Sequence, residues 1–115
     1  MLGDMMELGG YTIDVHKQAG AYAAEVCDVL VTAGLRAKFF AEGALEKGMS
    51  KDKIFSFDDA ESSKMKVQEL IESGDVILAK GSQSTRMEKV VEEIMLHPED
   101  KEKLLVRQDE EWQRR

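Results

Sequence analysis

The 115-residue chain contains a single cysteine, Cys27, so no internal disulfide can form. That scarcity fits a reducing compartment. Cys27 falls on an apolar stripe and reads as a small buried hydrophobe rather than a nucleophile. Histidine is nearly as scarce. His16 and His97 stand alone, and one thiol beside them makes no metal-ligand pattern. No apolar run approaches the roughly 20 residues of a membrane helix, and the N-terminus does not read as a secretory signal. An excess of positive charge is also missing. The net charge is −7, with Lys and Arg spread along the chain, which argues against a nucleic-acid-binding surface. There are no internal repeats, and the only stretch approaching low complexity is the charged tail.

What is present suits one domain: 43% apolar and 34% charged residues in a length that supports a single core. Val15, Ala19, Tyr22, Ala23 and Val26 recur at helical spacing and predict a helix over about 11–27. Asp28-Val29-Leu30-Val31-Thr32 predicts a short buried strand, stopped by Ala33-Gly34. Ala37, Phe40, Ala41 and Ala44 form the inward stripe of a second helix, with Gly48 as its C-terminal cap. Ile54-Phe55-Ser56-Phe57 is the next strand. Asp58, three residues before Glu61, has capping-box spacing for a third helix over about 59–73, ended by Gly74. Val76-Ile77-Leu78-Ala79 predicts another strand. Met87, Val90, Val91, Ile94 and Met95 mark an amphipathic helix closed by Pro98. Residues 99–115 mix both signs and read as a solvated helix or a frayed tail, beyond a domain of 1–98.

Strands alternating with crossover helices predict an α/β, Rossmann-like three-layer domain with a mainly parallel sheet. The start, Met1-Leu2-Gly3-Asp4-Met5, reads as the last residues of a strand running into a loop. The expectation is therefore a truncated first strand, and a chain that is a piece of a longer protein. A doubly wound unit orders its strands third, second, first, fourth, so the first and fourth lie together at the switch point. Asp4 is then beside Lys80-Gly81-Ser82, where ligands of open α/β sheets bind.

That fourth-strand joint, Lys80-Gly81-Ser82-Gln83-Ser84-Thr85-Arg86-Met87-Glu88, supplies a cation, a glycine and three hydroxyls. Thr85-x-x-Glu88 predicts a helix beginning at or just before Thr85, whose N–H groups and dipole favour a carboxylate or phosphate beside Lys80. The same spacing equally fits a strand–turn–helix joint with a well-made cap.

At these residues the chain resembles the MurF-type Mur ligases, the UDP-N-acetylmuramoyl-tripeptide–D-alanyl-D-alanine ligases of peptidoglycan synthesis. Leu2-Gly3-Asp4-Met5-Met6-Glu7-Leu8-Gly9 is similar to their LGDM-x-ELG segment. His16-x-x-Ala19-Gly20 resembles H-x-x-(V/A)-G, and Asp28-Val29-Leu30-Val31-Thr32-Ala33-Gly34 sits where the D-x-(V/L)-x-x-x-G run falls. Ala79-Lys80-Gly81-Ser82-Gln83-Ser84, followed by Met87-Glu88 and Val90-Val91, resembles VKGS-x-S-x-x-ME-x-VV. Order and spacing agree over about residues 1–96, as in the C-terminal domain of such a ligase.

The resemblance implies a cytoplasmic enzyme that uses ATP and Mg2+ to join UDP-MurNAc-tripeptide to D-alanyl-D-alanine through an acyl phosphate. It places ATP and Mg2+ mainly on a central domain carrying G-x-x-x-x-G-K-[ST], a pattern not found here. The partners implied are those two substrates and the ligase's own N-terminal and central domains, with no nucleic acid and no membrane insertion; the fragment alone is expected to be inactive. Lys80 then offsets charge on the dipeptide carboxylate or the reacting phosphoryl group, as the catalytic residue. Gly81, Ser82, Ser84 and Thr85 contact the dipeptide, while Gly3 and Asp4 face the nucleotide. His16 and Glu7 support them from behind, and no residue binds metal directly. Plainer roles stand beside these: Asp4 as a cap for the first helix, Lys80 as a snorkelling strand-end lysine, His16 as a packing residue, Glu7 as a solvated loop carboxylate and Arg86 as a surface residue. The competing class is a non-catalytic receiver-like signalling module using Asp58 and Lys80.

Overall fold

The computed structural model describes Met1 to Arg115. Three short strands, β1 (Leu2–Gly3), β2 (Leu30–Ala33) and β3 (Ile54–Phe57), form an all-parallel sheet in the order β1-β2-β3. Between them run α1 (Thr12–Val26) and α2 (Lys38–Lys47); α3 (Ala60–Leu70) and α4 (Glu88–Ile94) follow. Two short helices, α5 (Lys101–Leu104) and α6 (Glu110–Gln113), end the chain. This is the α/β, Rossmann-like architecture that the alternating pattern predicts.

On the other side of β1 lies the segment ending at Lys80. Leu2 and Lys80 form a parallel bridge. Gly3 N donates to the Lys80 carbonyl at 2.7 Å, and Lys80 N donates to the Met1 carbonyl at 3.1 Å. The spatial order is therefore third, second, first, fourth, as in a doubly wound sheet.

All four β2 residues are buried, because helices cover both faces. Leu30 packs with Ala23 of α1 and Ala44 of α2 on one face. Val31 and Ala33 pack with Ala60 and Val67 of α3, Met87, and Val90 of α4 on the other. The predicted α2 stripe is the observed one: Ala37, Phe40, Ala41 and Ala44 are all buried. Gly48 caps α2 at φ 107, a left-handed conformation that only glycine adopts without strain. The α1–α2 crossing depends on two further glycines. A Cβ on Gly20 would lie 1.9 Å from the Phe40 carbonyl oxygen, and one on Gly43 would lie 2.0 Å from that of Lys17.

Five expectations need correction. The residue that caps α3 is Asp59, whose carboxylate accepts from Ser62 N at 2.7 Å, not Asp58. This bond holds the Asp59 carboxyl below its ordinary value of 3.8. The helix stops at Leu70, and Gly74 sits in the turn beyond, at φ 91. Residues 76–79 form no regular strand, and Val76 is 100% exposed. The physical reason is that β1 offers only three backbone positions, so everything before Leu78 has nothing opposite it. The fourth helix begins at Glu88, not at Thr85: Gln83–Thr85 form a 3-10 turn, and Arg86 is left-handed at φ 54. Finally, α1 buries His16, Gly20 and Ala23, whereas Tyr22, Val26 and Cys27 are exposed.

Candidate functional site

The rim at the carboxyl ends of the strands is built from three joints: Asp4–Met6 after β1, Gly34–Ala37 after β2, and Lys80–Thr85. Two of them are separated by some seventy-five positions in sequence, yet the structure ties them together. Ser82 N donates to the Asp4 carbonyl at 2.9 Å, and Met6 N donates to Ser82 Oγ at 2.9 Å. Thr85 Oγ1 donates to the Ser82 carbonyl, which consumes the hydroxyl that a capping box would need. Gly3 and Gly81 meet face to face beneath this joint. A Cβ on Gly81 would lie 2.6 Å from Thr85 Oγ1 and 3.0 Å from Gly3 Cα. Close packing of two chain segments, rather than approach to a ligand, accounts for both glycines.

Asp4 is only 7% exposed. Its Oδ1 accepts from Arg36 N at 3.0 Å and Ala37 N at 2.7 Å, capping the start of α2 rather than that of α1. Its Oδ2 lies 3.7 Å from the Arg36 guanidinium. Gly34 completes the cradle: at φ 134, a Cβ there would stand 2.2 Å from Asp4 Oδ1.

His16 is fully buried, tilted against the Phe40 ring at 4.7 Å. Its Nε2 accepts from Met5 N at 3.1 Å, and its Nδ1 faces the Thr12 carbonyl at 2.6 Å. With an N–H on one side and a carbonyl on the other, the bonds assign the neutral Nδ1–H tautomer. Both nitrogens are occupied, so the ring fixes the loop after β1 and is not turned toward a ligand. Glu7 is exposed, left-handed at φ 63, and carries no ion pair.

What remains open at the rim is a small set of donors. Lys80 is exposed and its ammonium group has no partner; the Gly81 and Ser84 N–H groups and the Ser84 hydroxyl are likewise unpaired. An unpaired cation and free N–H and O–H donors in one loop are suited to a carboxylate or a phosphate oxygen. It contains no paired base or nucleophile. The chain's histidines, cysteine and carboxylates gather no group of three that would hold a metal ion, so the residues present build no all-protein cage for Mg2+.

Arg86 differs from its expected surface position. It is buried, pairs with Glu88, and donates to the Trp112 carbonyl. The Trp112 ring is flanked by Arg86, Arg107 and Arg115. The sequence signal for this was slight: one tryptophan in a charged tail, 26 residues from its partner.

The receiver-like alternative fails on topology. Asp58 follows β3 at one edge of the sheet, and Lys80 stands at the other, three strand spacings or about 14 Å away.

Over 99 residues, 85% of its length, the chain is 34% identical to the UDP-N-acetylmuramoyl-tripeptide–D-alanyl-D-alanine ligase of Bacillus subtilis (strain 168). The resemblance to MurF-type Mur ligases stands. The chain spans only 21% of that MurF-type relative. No family model matches, and no solved structure matches. No helix is long and apolar enough to cross a membrane.

Proposed function

We propose that this chain is the C-terminal, dipeptide-holding domain of a MurF-type amide ligase, with residues 1–98 as the domain and 99–115 as a charged appendage. One observation carries the reading: 34% identity over 99 residues to a ligase of which those residues make up 21%. In the proposed reaction ATP with Mg2+ activates the tripeptide carboxylate as an acyl phosphate, and the amine of D-alanyl-D-alanine attacks it. Neither ATP nor Mg2+ is assigned to this chain, which lacks a P-loop and a carboxylate cluster, so the remainder of the ligase would hold them in the cytoplasm. Alone, the chain would be inactive.

Its own contribution is positioning. The Lys80 ammonium offsets the dipeptide carboxylate, while the Gly81 N–H and the Ser84 N–H and hydroxyl donate to the same oxygens. Ser82 and Thr85 act one step back, holding the loop in shape through their bonds to Met6 and to the Ser82 carbonyl. Gly3, Asp4 and His16 fix the frame on which that loop rests, with Glu7 at its exposed edge.

Titration of the 15N-labelled chain with D-alanyl-D-alanine at millimolar concentration tests this. The expected result is shifts confined to the amides of residues 80–85, weakened roughly tenfold by Lys80→Ala, as loss of one charge-assisted contact of about 1.4 kcal/mol requires. Shifts elsewhere only, or micromolar affinity of this chain for ATP by calorimetry, would overturn it.

A further inference from the structure

The loop that carries Lys80, Gly81 and Ser84 is joined to α4 through one residue, Arg86. Arg86 follows directly on the 3-10 turn Gln83–Thr85. Its N–H donates to the Gln83 carbonyl at 3.2 Å, and its own carbonyl accepts from Lys89 N at 3.0 Å. Whatever fixes the Arg86 backbone therefore fixes where the loop ends.

Local sequence does not fix it. At φ 54 Arg86 is left-handed, a conformation a non-glycine residue keeps only where its surroundings hold it. Here residues 107–112 do the holding. Each of the three guanidinium nitrogens has its own acceptor: Nε the Glu88 carboxylate, Nη1 the Trp112 carbonyl and Nη2 the Arg107 carbonyl, the last at 3.4 Å. Arg107 is itself left-handed, at φ 61. A planar fork can meet three acceptors at once, which the point charge of a lysine cannot.

The ring of Trp112, the one tryptophan in the chain, docks the segment. Arg86, Arg107 and Arg115 stand over it at 5.5, 4.6 and 4.6 Å from its centroid. Lys101 adds a second tie to α4, pairing with Glu92 at 2.7 Å. None of these residues belongs to either apolar core cluster. Without the docked segment, the buried Arg86 charge would keep Glu88 alone as its partner. Turning out to water would then be favoured, and the left-handed joint would relax.

We propose that Arg86 is a positioning residue for the anion-binding loop, and that residues 107–112 are the strap that holds it. Arg86 acts through the loop, by fixing where the Gly81 and Ser84 donors stand. The proposal rests on the dipeptide reading for the identity of the anion, not for the strap.

Trp112→Ala in the 115-residue chain tests this, since it undocks the strap without touching the core. The Ser82, Thr85 and Arg86 amides, bonded to the Asp4, Ser82 and Gln83 carbonyls, are expected to exchange at least about fivefold faster. The Gly34 and Met49 amides, bonded to the Phe57 and Ala44 carbonyls, are expected to stay unchanged. D-alanyl-D-alanine, followed by 15N amide shifts, is expected to bind about fivefold more weakly. Trp112→Phe keeps an aromatic face for Arg86 and is expected to restore binding to within about twofold. Arg86→Lys keeps the charge but not the fork, and is expected to behave as Trp112→Ala does. Unchanged exchange at Ser82, Thr85 and Arg86 overturns the proposal. So does equal quickening at Gly34 and Met49, which would make the segment a support for the whole fold. If the dipeptide shifts no amide of the unaltered chain, the ligand reading fails, and the exchange rates still decide the strap.

Discussion

Asp4 shows how a carboxylate at a switch point becomes part of the frame. A loop acid there and a cap look alike in sequence, because the partners, Arg36 and Ala37, lie 32 and 33 residues on. The geometry separates them: one oxygen takes two N–H groups, and Gly34 is the only residue type that leaves it room. Asp4→Ala strands those two donors at the start of α2 and is expected to cost about 1–2 kcal/mol, the usual range for a lost cap. Urea unfolding reads this as a lower midpoint at unchanged slope. Asp4→Asn retains the accepting oxygen and is expected to lose less than half as much. An unchanged midpoint for Asp4→Ala would mean the carboxylate is not needed for folding.

At the scale of elements, what local pattern governs was legible and what distant contacts govern was not. The α2 stripe, the Gly48 cap and β3 follow from periodicity and one glycine, all within a few residues. The start of α4 does not. Thr85 carries the right spacing to Glu88, yet its hydroxyl bonds Ser82, and Arg86 turns left-handed to reach Glu88 and Trp112. The α1–α2 crossing was equally hidden, since Gly20 and Gly43 lie in helix interiors where glycine only weakens a helix. Helix propensity alone predicts that Gly43→Ala stabilises by about 1 kcal/mol. The crossing predicts the reverse. A methyl 2.0 Å from the Lys17 carbonyl oxygen meets rigid backbone, and helices must part, at about 1–3 kcal/mol net loss. Gly10→Ala, with nothing within 4 Å, is the control expected to stay within about 0.5 kcal/mol. Thermal unfolding of the two variants side by side decides which term wins.

For the whole molecule the sheet is the weak layer, because its central ladder is two residues long at β1. Two helical layers are in place, and between them Tyr22, Val26, Leu70 and Ile71 line a cavity of about 860 Å³ beside Met1. Placing Val-Ile-Val ahead of Met1 tests how much this matters. Burying three such side chains contributes about 1.5–3 kcal/mol each. Ordering three backbone units costs about 1–2 kcal/mol each. The difference favours the extended chain by roughly 1–3 kcal/mol, and each kcal/mol raises the midpoint of a domain this size by about 4 °C. Calorimetry is therefore expected to place the extended chain at least about 4 °C above one extended by Gly-Ser-Gly, which has the same length and no side chains to bury. Equal midpoints would mean that the cavity's apolar walls contribute no stability when a strand is offered to them, and the thinness of β1 would then be a feature the fold tolerates at no loss.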